Sequence, residues 1–509
     1  MTMQTSKGRL SYTVAKNAIA NVVRGGATAI VALALPHFLV KALDPGRFSA
    51  WSLILQIAAY ASYLDFGLQT AVARFLAQAI ELKQRERLQQ LVSTALTLLA
   101  SAGCLAFLVL ASVVALMPKL FHGIPPGLLH EVQIAALVLG ASAALLLPGS
   151  VYTGVLIGLQ KNEYPALAIG SSRLVGACCA IVASHFTNSL IVLAACIALP
   201  NQLGSLLQWR ISEGLLPGST NLKTRPQFAV AKELLGYCTG LMVFSFGMLL
   251  YSGLDLTIIA HFAFSEVGYY SIAATLIVFV AGLQSALINA LLAPMAALHA
   301  RGAFDRIRTV ILSSTQFTTG INLLLTFIFV FYGRYLLHLW VGSAYARRAY
   351  PIVILLMIAQ LVRQTAAPYC VMLIASGNQL NLAEAAIFEA LLNLIASVWL
   401  ASFMGAMGVA WGTLIGAICG LVYMTLRIFR KQADVCISSK AFLQKLIPVF
   451  ICGLPACIAC LTITRRVGDT AHILLLVRST SLLITLALLV RYANLIPQEI
   501  SQRVRDKFA

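Results

Sequence analysis

Residues 91–116 read LVSTALTLLASAGCLAFLVLASVVAL, with no charged side chain and no proline. A helix that crosses a bilayer needs about 20 mainly apolar residues, and this stretch exceeds that length without a break. Similar stretches lie on both sides of it. Charged or Gly/Pro-rich breaks delimit candidate spans at 17–42, 49–79, 91–116, 131–157, 165–185, 189–209 and 233–260. They continue at 268–298, 309–333, 350–375, 381–402, 406–427, 445–464 and 471–492. The expected fold is therefore an all-α integral membrane protein with about fourteen transmembrane helices. Spans 381–402 and 406–427 are counted separately because Gly405 and Gly408 make a tight turn between them.

Composition agrees. Of 509 residues, 60% are hydrophobic and 10% charged, against roughly 25% charged in soluble domains, and the mean hydropathy is +0.88. No polar stretch is long enough for a soluble domain, and no GxxxxGK[ST] loop offers an ATP site. The net charge of +19 sits in short loops rather than on one domain, which argues for membrane orientation and against nucleic acid. With the N-terminus placed in the cytoplasm, 23 Lys and Arg fall on the cytoplasmic side and eight on the other. Both termini are accordingly expected inside, with an even number of spans. The tryptophans at 51, 209, 340, 399 and 411 fall at or near span ends, where interfacial aromatics belong. The first apolar run, about 25 residues from Asn17, is too long for a cleaved signal peptide. Eleven scattered cysteines lie mostly within spans, and the CxxC at Cys457 and Cys460 reads as two small packing residues.

The chain also repeats itself. Leu43-Asp44-Pro45-Gly46-Arg47-Phe48-Ser49, between the first two spans, is echoed by Phe264-Ser265-Glu266-Val267-Gly268-Tyr269-Tyr270-Ser271, about 220 positions later. The same displacement carries Pro148 onto Pro368, and brings Gly158-Leu159-Gln160-Lys161-Asn162 near Ser376-Gly377-Asn378-Gln379. An offset of six spans makes the repeats parallel. The expected organisation is a six-helix bundle over 1–212, a cytoplasmic linker over 213–232, a second six-helix bundle over 233–430, and two extra helices with a tail over 431–509.

Five arginines remain inside the spans once the loops are counted: Arg24, Arg74, Arg173, Arg363 and Arg478. The acids there are Asp65, Asp255, Glu384 and Glu389. A charge at mid-bilayer costs at least ~2.5–3.5 kcal/mol, so such groups face a hydrated cavity or one another. Asn17, Asn21, Arg24 and Thr28 form one polar stripe, and Thr315, Thr319, Asn322 and Thr326 another. Gln360, Arg363 and Gln364 share a face, as do Arg478, Ser481 and Thr485. The bland alternatives are snorkelling for Arg74, a solvated mouth position for Asp255 and an interfacial one for Glu384. Glu389 is a cation or proton site or the partner of Arg173. Counting ~100° per residue along one helix, Asp65 and Arg74 point to opposite faces. Gly412, Gly416 and Gly420 allow a close helix approach.

Three places carry a resemblance. They are the hairpin Leu43–Ser52 running into Leu64-Asp65-Phe66-Gly67-Leu68 and Ala71-Val72-Ala73-Arg74-Phe75-Leu76-Ala77, the segment Gly158–Tyr164, and the echo Glu266–Ser271. The chain resembles the multidrug/oligosaccharidyl-lipid/polysaccharide (MOP) exporters, a MATE-like fold, and within them the bacterial O-antigen (Wzx-type) flippases. The resemblance implies two bundles around a central cavity that alternates between the membrane faces. It implies an undecaprenyl-pyrophosphate-linked oligosaccharide as cargo, flipped across the bacterial inner membrane to a polysaccharide polymerase or ligase for O-antigen or exopolysaccharide assembly, with membrane lipids around the prenyl tail. Arg24, Arg173, Arg363, Arg74 and Arg478 would then meet the pyrophosphate, because guanidinium is a permanently charged, multidentate donor. Asn21, Thr28, Thr319, Asn322, Gln360 and Gln364 would line the glycan path. No cofactor is expected; an ion gradient or the membrane potential would drive transport, with Asp65, Asp255 and Glu389 as ion-coupling candidates. Two rivals are an ion-coupled multidrug antiporter and a membrane glycosyltransferase or ligase. The first wants an early-helix carboxylate that the first span lacks. The second wants a large acidic outer loop, whereas 334–349 has no acid.

Overall fold

The computed structural model describes residues 28–216, 225–431, 437–467 and 471–492, with Gly25, Gly26 and Val435. Side chains are described for most of these, those of 454–467 and 471–477 being the longest exceptions. Asn21 and Arg24, and the side chains of Cys457 and Cys460, lie outside the described residues. Every regular element among the described residues is a helix. They are α1 (Thr28–Ala42), then α2 (Pro45–Tyr63), α3 (Leu68–Glu81), α4 (Arg85–Leu120), α5 (Pro126–Gly158), α6 (Glu163–Ser184) and α7 (Leu190–Leu215). There follow α8 (Phe228–Met248), α9 (Asp255–Ala263), α10 (Val267–Asn289), α11 (Leu292–Ala300), α12 (Phe304–Val341), α13 (Ser343–Gln364), α14 (Ala367–Ala375) and α15 (Gln379–Tyr423). The last two are α16 (Ser439–Val467) and α17 (Ala471–Tyr492).

Eight helical stretches among the described residues are long and apolar enough to cross a membrane. Their outward faces suit lipid. Helix α4 exposes Leu105, Leu108, Val109 and Leu116, a continuous apolar face that water would penalise. The order of elements recurs. The starts of α2, α4, α5 and α6 at Pro45, Arg85, Pro126 and Glu163 are matched by those of α10, α12, α13 and α15 at Val267, Phe304, Ser343 and Gln379, about 220 positions on.

The predicted span 49–79 is not one helix. It breaks at Leu64–Gly67, where Phe66 and Gly67 take φ values of 50° and 76°. Only glycine adopts that region without a Cβ penalty, so the Phe66 conformation is imposed by its surroundings. The repeat-equivalent span 268–298 also divides, into α10 and α11. Span 350–375 divides into α13 and α14, and Pro368 stands in the first turn of the latter, where its missing N–H costs nothing. Span 233–260 passes from α8 through a wide turn at Leu249–Gly253 into α9.

The turn expected at Gly405 is there: its φ of 56° and ψ of −130° reverse the chain inside α15. The two arms then close on each other along the glycine stripe. A Cβ at Gly412 would stand 2.3 Å from Ser397 Oγ, one at Gly416 2.7 Å from Asn393 Cβ, and one at Gly420 2.8 Å from Glu389 Oε2. These three glycines let one helix backbone approach the polar face of the other.

The chain forms two compact units, Met1–Ser271 and Ile272–Ala509. In the first, α5 packs against α2, α3, α4 and α7, α6 lies on α7, and α8 packs on α3 and α4. Trp51 belongs to this core. It is 2% exposed, which corrects the interfacial placement expected for it: α2 begins at Pro45, capped by Asp44, whose carboxylate accepts the Arg47 N–H at 3.0 Å, so Trp51 sits almost two turns inside the helix. In the second unit, α12 packs on α13 and α16, α13 on α15, and α16 pairs with α17.

Candidate functional site

In the first unit, Arg173 stands at the middle of α6 with its side chain exposed. Its Nη1 donates to Thr28 Oγ1 at 2.7 Å. A residue of the first polar stripe and one of the five intramembrane arginines thus meet, 145 positions apart. Arg74, on α3, is also exposed. Its guanidinium carbon lies 4.7 Å from the centre of the Tyr237 ring on α8 and 5.7 Å from that of Phe75. The two rings meet edge to face with centroids 5.8 Å apart. Glu233, one turn earlier on α8, is taken by Arg87.

Asp65 sits in the break between α2 and α3. Its carboxylate accepts the Ser150 hydroxyl at 3.0 Å and the backbone N–H groups of Gly67 and Gln69, so it caps the start of α3. The expectation that Asp65 and Arg74 face opposite ways assumed one continuous helix. The break between them removes that geometry.

Asp255 opens α9, and its Oδ2 accepts the Tyr270 hydroxyl at 2.7 Å. It adjoins a polar seam that runs along α2. Tyr60 bonds to Thr257, and Gln56 Nε2 donates to the Gly253 carbonyl at 2.7 Å. Ser52 and Ser271 share a hydrogen bond of 2.9 Å, and Ser49 Oγ accepts the Gly268 N–H at 3.1 Å. Four positions on one face of α2 thereby meet the chain from Gly253 to Ser271.

In the second unit Arg363, Glu389 and Glu384 are paired. Arg363 Nε donates to Glu389 Oε1 at 2.6 Å, with the two side chains 18% and 15% exposed. Glu389, expected as an ion site or the partner of Arg173, has Arg363 as its partner. Glu384, expected at an interface, accepts from Tyr423 and, at 3.3 Å, from Arg427. Gln284 on α10 joins two of the predicted lining residues: it donates to Asn322 Oδ1 and accepts from Gln360 Nε2 at 2.8 Å. A small cavity beside them is lined by Gln284, Ile288, Thr318, Ile321 and Asn322. Thr315 and Thr319 are fully buried, and their hydroxyls have no hydrogen-bond partner among the described residues. The stripe on α12 is thus a polar seam inside this unit. Gln364 is half-buried. Arg478 is half-buried on α17, next to Ser479, which bonds to Tyr332 at 2.8 Å.

Reading by stripes missed Gln284, Tyr237 and Tyr270. Gln284 was within reach, since it is the lone amide of Val278–Ile288; the tyrosines gave no periodic signal. Among the described residues no group of three or more His, Cys, Asp or Glu could hold a metal.

Residues 14–299 match a family described as polysaccharide biosynthesis protein. The chain belongs to this family. No curated protein matches it, but solved structures share its fold. The lipid II flippase MurJ, in an inward closed conformation, aligns with a TM-score of 0.67 at 15% identity over 94% of this chain and 99% of its own. An inward-facing multidrug-resistance MATE transporter of the MOP superfamily aligns at 0.62 and 14% identity, over 79% and 95% of the two chains. The Vibrio cholerae MATE transporter follows at 0.54 and 16%, over 85% and 99%. This member of the polysaccharide biosynthesis family is a multi-pass membrane protein with the MOP-superfamily transporter fold.

Proposed function

We propose that this protein flips undecaprenyl-pyrophosphate-linked oligosaccharide across a bacterial inner membrane by alternating access, supplying O-antigen or exopolysaccharide assembly. The reading rests on Arg173, an exposed side chain at mid-helix whose guanidinium donates to the Thr28 hydroxyl. A pyrophosphate head entering a low-dielectric passage needs such a donor, because charge-assisted bonds from a planar fork strengthen as water is excluded. Arg24, four positions before Thr28 in the sequence, joins Arg74 and Arg478 in the proposed cationic set. The prenyl tail stays in lipid, so only the head and glycan require a polar route.

The proposed organisation is six helices, six helices and two, with both termini in the cytoplasm, as the loop charges dictate. Because Arg363 compensates Glu389, coupling to an ion gradient or membrane potential falls to Asp65 and Asp255. A polymerase or ligase on the outer side would take the product.

The test is surface glycan display in a flippase-deficient bacterial strain, with membrane levels of each variant measured in parallel. Arg173→Ala is expected to reduce display at least tenfold, Arg24→Ala to a similar extent, and Thr28→Val less. Full display by all three, at normal protein levels, overturns the reading.

A further inference from the structure

Arg74 differs from Arg363 in what holds it. Its guanidinium rests on the Tyr237 ring at 4.7 Å and near Phe75 at 5.7 Å. No carboxylate lies within ion-pair distance of it among the described residues. The acid one turn from Tyr237, Glu233, is occupied by Arg87, and Asp65 is held by Ser150. The side chain is nevertheless exposed, on a helix that ends two turns later at Glu81. An aromatic face attracts a cation through its quadrupole but accepts none of the five N–H bonds. The cation–π contact therefore anchors the guanidinium beside the rings and leaves its N–H donors unspent. The rings are themselves fixed: Phe75 and Tyr237 brace each other edge to face, and both pack on the core around Leu76, Val72 and Leu234.

We infer that Tyr237 is a positioning residue that presents the Arg74 edge to the phosphate-bearing head of the lipid-linked substrate. The inference rests on the flippase reading above. It assigns to α8 a role in substrate capture that no stripe or charge in α8 suggested. It also makes the planarity of Arg74 essential, since a lysine would keep the charge but lose the planar fork.

The experiment is equilibrium binding of undecaprenyl pyrophosphate to the full-length protein in detergent, with inorganic pyrophosphate as the competing probe. Tyr237→Phe keeps the ring and should bind within about twofold of wild type. Tyr237→Leu and Arg74→Lys should each weaken binding by about tenfold, the scale of a desolvated cation–π contact. In transport assays they should raise the half-saturating substrate concentration and leave the maximal rate nearly unchanged, a split that general loss of packing does not produce. Arg308→Gln, which breaks the exposed pair with Asp305 in the second unit, serves as the folding control and should bind as wild type does. Wild-type protein that binds no lipid pyrophosphate overturns the substrate reading. Wild-type binding with Tyr237→Leu or Arg74→Lys unchanged overturns this inference alone. Inorganic pyrophosphate bound as tightly as the lipid overturns the assignment to a lipid head.

Discussion

Arg173 and Arg363 look alike in the sequence, each an arginine near the middle of an apolar span, yet the two units treat them differently. In the first unit Arg173 is exposed and touches a threonine; in the second, Arg363 is half-buried against Glu389 at 2.6 Å. The same contrast extends to the neutral groups. Thr28 meets an exposed cation, whereas Asn322, Gln284 and Gln360 bond to each other in the interior. A polar residue within a membrane span thus reports one of two conditions, an exposed contact or an internal fastening, and sequence periodicity alone does not tell which.

The contrast yields graded expectations for stability, measured by thermal unfolding of purified variants in one detergent. Glu389→Ala should be the most damaging, because it leaves the half-buried Arg363 without its counter-charge. A loss of about 3 kcal/mol is expected, and the double variant Glu389→Leu/Arg363→Met should recover most of it. If Glu389→Ala unfolds like wild type, the two units do not differ in the way described. Next comes Gly412→Ala, whose new Cβ would lie 2.6 Å from the Ser397 Cα. Backbone cannot yield as a side-chain tip does, so about 1–3 kcal/mol should be lost, while Gly282→Ala, with open space around it, should change little. Gln284→Leu cuts both bonds of the buried amide chain and should cost about 1 kcal/mol. Smallest is Arg173→Ala, for which a stability change within about 0.5 kcal/mol should accompany a severe fall in glycan display. A large destabilisation there would place Arg173 among the fastenings.

What the sequence made legible follows from which physics is local. Spans are set by composition, so the apolar stretches were readable one by one. The Gly405 turn and the 412–416–420 stripe depend on a missing Cβ, which is equally local. The break at Leu64–Gly67 was hidden because Phe66 carries no sign of a left-handed backbone; the strain is placed there by packing and by the Asp65 cap. The partner of Glu389 was hidden for a related reason: it lies 26 positions away on another helix, and a stripe shows which residues share a face but not what faces them. Trp51 was misplaced because an aromatic near a span end belongs equally well to an interface or to a core. The pairing of Tyr237 with Arg74 is of the same kind, a contact between elements more than 160 positions apart that no periodicity encodes.

The seam along α2 carries a different message. Ser49 meets Gly268, and Ser52 meets Ser271, each pair separated by 219 positions, nearly the period at which the chain repeats. Each contact therefore joins a residue to within a helical turn of its own counterpart. A chain of half this length, with a single copy of the motif, could make such contacts only with another molecule of itself. At these two positions the seam has the form of an isologous contact made within one polypeptide. Its assembly does not depend on protein concentration, and its two sides need not be identical.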